Sequence, residues 1–267
     1  MTALAPDAPF WQSLSRADRP VLLLDYDGTL APFRVERDQA VPYPGIRRLL
    51  DAIRRTTRTR LVIISGRAID DLLPLLGLQP PPEIWGCHGW ERLRADGRRT
   101  AVELPATART GLVAAGHWLS EQGLAGHAEH KPASVALHWR GLDAAGQNRL
   151  RRLAEAGWQP LAERYLLQLH RFDGGLELRC PGRDKGSAIA TILSESPADA
   201  LAVFLGDDLT DEDGFRALEE HGAGILVRRE PRPTAARYRL CPPEELVAFL
   251  QIWRERARPR NGEECGP

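Results

Sequence analysis

Apolar positions along this chain follow two rhythms. Val21–Leu24 is a short run without a polar residue that stops at Asp25. Leu61–Ile64 and Ala202–Leu205 repeat the pattern, stopping at Ser65 and at Gly206-Asp207-Asp208. Unbroken runs of this length predict strands covered on both faces, as in a parallel sheet. Between them the period lengthens. Ile46, Leu49, Leu50 and Ile53 predict a helix over Pro44–Arg55, and Ala68–Leu76 reads as another, with Gly77 suited to its C-cap. Glu83–Cys87 is a weaker third strand, and Arg92–Val102, centred on Asp96-Gly97, a hairpin.

The grammar then changes. Thr107–Gln122 predicts an amphipathic helix followed by alternating runs at His127–Lys131 and Val135–Arg140. Asp143–Gly157, with Asp143 as N-cap, predicts a second helix, followed by Tyr165–His170 and Leu176–Arg179. This is a helix–strand–strand unit given twice. After Gly182 the first grammar returns: helices over Lys185–Ser194, Asp213–His221 and Glu244–Arg256, and a strand over Gly224–Val227. The expected fold is therefore α/β, a Rossmann-like parallel-sheet core interrupted by an inserted α+β domain. The expected division is core over 1–104, insert over 105–182, core again over 183–256, and a disordered tail over 257–267, with 1–19 a polar lead-in. Pro105 and Pro181-Gly182 mark hinge boundaries near 103–106 and 181–184.

Composition narrows the classes. The 267 residues carry 36 basic and 36 acidic side chains, a formal net charge of zero. No global field recruits nucleic acid or anionic lipid, so an anionic ligand needs a local site. Met1–Leu14 lacks the basic and apolar regions of a signal peptide, and no apolar run approaches the roughly 20 residues that span a bilayer. Cys87, Cys180, Cys241 and Cys265 show no metal or redox spacing and read as free thiols. A cytoplasmic protein is expected. Among the basic residues only Lys131 and Lys185 are lysine, the compact point charge that arginine does not copy.

The chemistry concentrates at the ends of the predicted strands. Asp25 and Asp27, in Asp25-Tyr26-Asp27-Gly28-Thr29, stand where ligands bind an open α/β sheet. Gly28 lets the backbone turn so that N–H groups face an anion. A carboxylate there attacks phosphorus once a metal neutralises the phosphate charge. Ser65 and Gly66 end the second strand with a hydroxyl and a backbone N–H. Lys185 opens a helix. Gly206-Asp207-Asp208-Leu209-Thr210-Asp211-Glu212-Asp213 gathers carboxylates that repel one another unless a cation lies among them, and oxygen-only ligands suit Mg²⁺.

These four segments, in this order, resemble the four motifs of the haloacid dehalogenase superfamily, and the insert resembles its C2-type cap. Within it, Leu24–Pro32, Gly86-Cys87-His88-Gly89-Trp90-Glu91, Glu129-His130-Lys131 through His138-Trp139-Arg140, and Gly206–Asp213 resemble the trehalose-6-phosphate phosphatases over residues 20–253. The resemblance implies that Asp25 is the nucleophile and Asp27 the acid and base. It implies that Asp25, the Asp27 backbone carbonyl and Asp207 hold Mg²⁺, with Asp208 and Asp211 in support. Gly28, Thr29, Ser65, Gly66 and Lys185 would bind the phosphoryl group, and Arg67 and His88 would lie near the substrate. In the cap, Glu129, Lys131, Arg140 and Glu177 would grip sugar hydroxyls. One departure stands out: the family's basic residue four positions before the cap glutamate is Asp173 here, with Arg171 nearby. Trp90 and Trp139 read as packing before sugar platforms, and His117, His127, His170 and His221 as structural. The implied substrate is trehalose 6-phosphate. The alternatives are another phosphorylated sugar, such as a glucosyl- or mannosyl-3-phosphoglycerate, and a non-catalytic sugar-phosphate sensor. A monomer is expected, with no nucleic-acid or membrane partner, and a functional link to a trehalose-phosphate synthase stays open.

Overall fold

The structure, a computed structural model, describes residues 2–3, 8–218 and 222–258. His221, Cys265 and the part of the expected tail from 259 onward lie outside the described residues. The chain forms two compact units, Met1–Arg99 with Asp184–Pro267, and Thr100–Arg183.

The first unit carries a sheet in the order Thr2–Ala3, Tyr238–Leu240, Gly222–Val227, Ala202–Gly206, Val21–Leu24, Arg60–Ile64, Glu83–Gly86, Glu91–Leu93, ending on Arg99–Ala101. Neighbours from Thr2–Ala3 to Glu83–Gly86 are parallel, and Glu91–Leu93 joins antiparallel. The unbroken apolar runs sort themselves with period two. Leu22, Leu24, Leu61, Ile63, Val203 and Leu205 enter one core, while Val21, Leu23, Val62, Ile64, Ala202 and Phe204 enter another. The first core is covered by helices Pro9–Arg16, Ile46–Thr56, Ile69–Leu76 and Glu244–Arg256, the second by Lys185–Ser194 and Glu212–Leu218. Both faces are thus buried, which is why the strands show no polar alternation.

The lead-in departs from expectation. Pro9–Arg16 is a helix with proline in its first turn, and it buries Phe10, Trp11 and Leu14, with Trp11 against Phe249 at 5.3 Å. Two turns with three apolar residues are too short a pattern to read; tertiary packing makes the helix. Ala257, at the start of the expected tail, is also buried. Tyr238–Leu240 is a strand the sequence pattern did not suggest.

In the second unit, Ala128–Lys131, Ser134–His138, Gly175–Arg179 and Gln168–Phe172 form an antiparallel sheet in that order, packed on helices Ala106–Glu121 and Ala144–Tyr165. The second helix runs past Gly157, its expected end, and through Pro160. Gly157 serves a close approach instead: a Cβ there would lie 2.0 Å from the Trp118 ring. Among the described residues, no helix is long and apolar enough to cross a membrane, and Cys87, Cys180 and Cys241 are in no disulfide.

Candidate active site

Val21–Leu24 lies between Ala202–Gly206 on one side and Arg60–Ile64 on the other, so the strand order reverses direction beside it. Such a switch point opens a crevice at the carboxyl ends of the strands. Register then fixes the neighbours. Leu24 pairs with Leu205 and with Ile63. Asp25 donates its backbone N–H to Leu205 O at 2.9 Å, so Asp207 and Ser65 emerge on either side of it.

Asp25 is buried. Its Oδ1 accepts from Lys185 Nζ at 2.5 Å and its Oδ2 from the Thr29 hydroxyl at 3.2 Å. The same ammonium reaches Asp211 Oδ1 at 2.5 Å. The other oxygen of Asp211 accepts the backbone N–H groups of Asp207 and Asp208, each at 2.9 Å, which folds the loop around it. Lys185 begins its helix behind an Asp184–Ser187 capping box. A cation at a helix N-terminus opposes the dipole, and here the carboxylates of Asp25 and Asp211 offset that. Gly28 has φ +84° and packs so closely on Asp207 that a Cβ would lie 2.2 Å from Oδ2. Thr29 sits 3.5 Å from Asp207 Oδ1. Asp208 turns its carboxylate to the N–H of Leu209.

Asp27 is met by Arg67, whose Nε and Nη2 lie 2.7 Å from its two oxygens. The buried Ser65 hydroxyl oxygen accepts the Arg67 backbone N–H at 3.1 Å. The His88 ring lies against Gly66, where a Cβ would come within 2.6 Å of Nε2. Glu91 caps the next helix through Ile69 N at 3.0 Å. Sequence reasoning missed Arg232. It donates to Asp208 O at 2.7 Å and pairs with Glu212, bracing the acidic loop from a residue about 25 positions downstream. No local pattern around Arg232 announces this.

Charge is out of balance here. Three carboxylates, Asp25, Asp207 and Asp211, offer oxygens within 4.8 Å of one another, against the single ammonium of Lys185. Burial pushes the Asp25 carboxyl up to about 7, with Lys185 opposing and the charges of Asp211 and Asp27 adding to the rise. Burial, then Asp25, Asp211 and Asp208, push Asp207 well above the usual carboxylate range. Burial disfavours the Lys185 ammonium, but Asp211 and Asp25 outweigh it and raise its pKa. An all-oxygen cluster short of positive charge fits a hard divalent cation. Asp25, Asp207 and Asp211 each offer it an oxygen, with Asp211 the most engaged of the three, by Lys185 and two backbone N–H groups.

The second unit holds its own cluster. Glu129, Ala136, Glu177 and His170 form one row across its sheet, and Lys131, Ser134, Arg179 and Gln168 the row two residues on, so all share a face. Ala136 between two glutamates leaves both carboxylates room. Lys131 Nζ lies 2.8 Å from Glu177 Oε1 and 3.6 Å from Glu129. Burial opposes its charge, yet Glu177 and Glu129 hold its pKa above the ordinary lysine value. Ser134 and Arg179 also bond Glu177, at 2.7 and 2.6 Å, and His138 Nε2 lies 2.8 Å from Glu129. Thus Glu129, Lys131 and Glu177 come together, with Ser134, His138 and Arg179 around them. Arg140 lies instead over the Asp173–Gly174 turn, where it donates to Asp173 O. Arg171 pairs with Glu155 on the long helix and lies opposite Leu176, one residue out of step with the row of Glu177.

This architecture is that of the haloacid dehalogenase-like hydrolases: a structure of one from B. subtilis superposes with a TM-score of 0.62 at 15% identity, covering 87% of this chain and 99% of that one. The C-terminal domain of C. albicans trehalose-6-phosphate phosphatase gives a TM-score of 0.83 at 21% identity, covering 95% and 98%. The family model described as Trehalose-phosphatase matches residues 23–244. A trehalose-phosphate phosphatase of Mycobacterium tuberculosis is 32% identical over 265 residues, covering 91% of this chain and 64% of the relative. A probable trehalose-phosphate phosphatase H of Arabidopsis thaliana is 30% identical over 273 residues, covering 93% and 76%. The chain belongs to the trehalose-phosphatase family. It spans 64% of the length of the mycobacterial relatives it matches.

Proposed function

We propose that this chain is a Mg²⁺-dependent phosphatase that hydrolyses trehalose 6-phosphate to trehalose and inorganic phosphate through an aspartyl phosphate on Asp25. The carrying observation is the convergence on the buried Asp25 carboxylate of Lys185 at 2.5 Å, the Thr29 hydroxyl at 3.2 Å and the neighbouring carboxylate of Asp207. The names of the curated relatives support the sugar.

In the first half-reaction an Asp25 oxygen bonds to phosphorus while the bond from phosphorus to the sugar oxygen breaks. Asp27 gives its proton to that oxygen. In the second half Asp27 takes a proton from water, the water oxygen bonds to phosphorus, and the acyl phosphate bond breaks to restore Asp25. Lys185 balances negative charge around the transferring group. The Ser65 hydroxyl, which accepts from Arg67 N, keeps its own proton to donate to a phosphoryl oxygen. Asp25, the Asp27 backbone carbonyl and Asp207 would hold Mg²⁺, which when bound neutralises phosphate charge against the anionic nucleophile. Glu129, Lys131 and Glu177 would read sugar hydroxyls, which donate and accept at once.

The test is phosphate release with Mg²⁺ from trehalose 6-phosphate, glucose 6-phosphate, sucrose 6-phosphate, glucosyl- and mannosyl-3-phosphoglycerate and an aryl phosphate. A kcat/KM for trehalose 6-phosphate about 100-fold above the rest, roughly 2.7 kcal/mol of discrimination, supports the full reading. Preference for another sugar keeps the core chemistry and overturns the substrate. Silence on every compound points to a sensor.

A further inference from the structure

Arg67 makes a two-pronged pair with Asp27, Nε to Oδ2 and Nη2 to Oδ1, both at 2.7 Å. Such a pair fixes the plane of a carboxylate as well as its place. The guanidinium is itself held. Its side chain is 7% exposed and lies over the Tyr26 ring at 5.8 Å. Its backbone is pinned from two sides: Arg67 N–H donates to Ser65 Oγ at 3.1 Å, and Arg67 O accepts from Cys87 N at 2.8 Å. The turn supplying that second donor is costly. Cys87 and His88 have φ of +49° and +56°, the left-handed region that favours glycine and strains other residues. Its yield is two backbone bonds to one loop, Cys87 N to Arg67 O and His88 N to Ser65 O at 3.0 Å. A strained turn spent on the seat of one arginine, and that arginine spent on one carboxylate, form a continuous line of support.

We infer that Arg67 is a positioning residue for Asp27, setting the carboxylate that moves the proton, beyond any contact with substrate. The inference rests on the proposed phosphatase reaction. In that reaction Asp27 serves twice, as proton donor to the sugar oxygen and as proton acceptor from water, so a misplaced carboxylate slows both halves. A leaving group that departs without a proton relieves only the first half.

Arg67→Ala and Arg67→Lys are compared with the wild type and Asp27→Asn, all with saturating Mg²⁺, by rapid-mixing kinetics. The substrates are the preferred sugar phosphate and 2,4-dinitrophenyl phosphate. On the sugar phosphate both Arg67 variants lose about 100-fold in kcat with KM nearly unchanged, the scale of a misplaced acid–base group. On dinitrophenyl phosphate each releases about one equivalent of dinitrophenolate at near the wild-type rate, then turns over slowly, because the aspartyl phosphate waits for its base. Asp27→Asn gives the same pattern, and the combined variant is no slower than Asp27→Asn alone. Lysine keeps the charge but not the fork, so Arg67→Lys separates geometry from charge and carries the test if Arg67→Ala does not fold. A raised KM with kcat intact, an undiminished Arg67→Lys, or additive losses in the combined variant overturn the positioning role. A wild type that releases no phosphate from any substrate overturns the reaction itself.

Discussion

Asparagine at position 207 is expected to stabilise the metal-free protein and to cancel its stabilisation by Mg²⁺. Asp25, Asp207 and Asp211 bring oxygens within 4.8 Å of one another, with Lys185 bonded to Asp25 and Asp211. Two unit charges at that separation repel by about 3.5 kcal/mol at an effective dielectric near 20. Lys185 offsets part of this, which leaves about 2 kcal/mol of relief when Asp207 becomes neutral. The variant is nearly isosteric, so its packing on Gly28 is kept. The pH sign follows from the raised carboxyls. Asp25 titrates near 7 in the folded chain against 3.8 unfolded, so the folded state holds the extra proton. Stability from this group is full below about 3.8 and lost as pH rises through about 7. In chelator, the wild type should therefore weaken from mild acid to mild alkali, and Asp207→Asn should weaken less. At about pH 8 the variant should melt roughly 4–8 °C higher, taking about 2–4 °C per kcal/mol for a chain of this size. The difference should shrink as pH falls, because burial raises the Asp207 pKa and so favours its neutral form. Calorimetry in chelator and in millimolar Mg²⁺ measures both. A variant that melts several degrees lower in chelator at pH 8, or that still gains the full wild-type increment from Mg²⁺, refutes the charge-balance argument.

Lys185→Arg should lose as much turnover as Lys185→Ala in steady-state assays, because the fork of a guanidinium cannot meet Asp25 and Asp211 from one point at 2.5 Å each. Lys131→Ala should raise KM for the sugar phosphate about 10-fold or more, on the scale of a lost charged hydrogen bond, while aryl phosphate kinetics stay near wild type. Unchanged KM would remove the second unit's cluster from sugar recognition. Arg92 is buried between Glu83 at 2.6 Å and Glu195 at 2.5 Å. Arg92→Ala should cost about 3–5 kcal/mol in urea unfolding, because Glu83 is left buried and less compensated; a loss within about 0.5 kcal/mol, typical of surface sites, would mean that Arg60, which also pairs with Glu83, suffices.

The sheet was legible because parallel strands covered on both faces announce themselves as unbroken apolar runs, and the residue that breaks each run marks the carboxyl edge of the sheet, where ligands bind open α/β sheets. Asp25, Ser65 and Asp207 were read from that punctuation alone. What stayed hidden was long-range. Arg232 acts through backbone carbonyls far upstream, and His138 reaches Glu129 only because two strands pair in a given register. Gly157 misled in the opposite sense. Glycine is a local stop signal, but Trp118 packs closely on Gly157 and the helix runs on through it.

The two lysines show how composition and geometry meet. In a chain whose basic residues are otherwise arginine, Lys131 stands between Glu177 and Glu129, and Lys185 between Asp25 and Asp211. Each ammonium faces carboxylates that arrive from different strands or loops, and a compact donor with three N–H bonds suits such convergence. Where one carboxylate presents both oxygens together, as Asp27 does, the partner is an arginine that takes them in parallel. The division follows from the shapes of the two cations. It makes the rare residue type in this sequence a pointer to a buried carboxylate cluster in each unit before any contact is known.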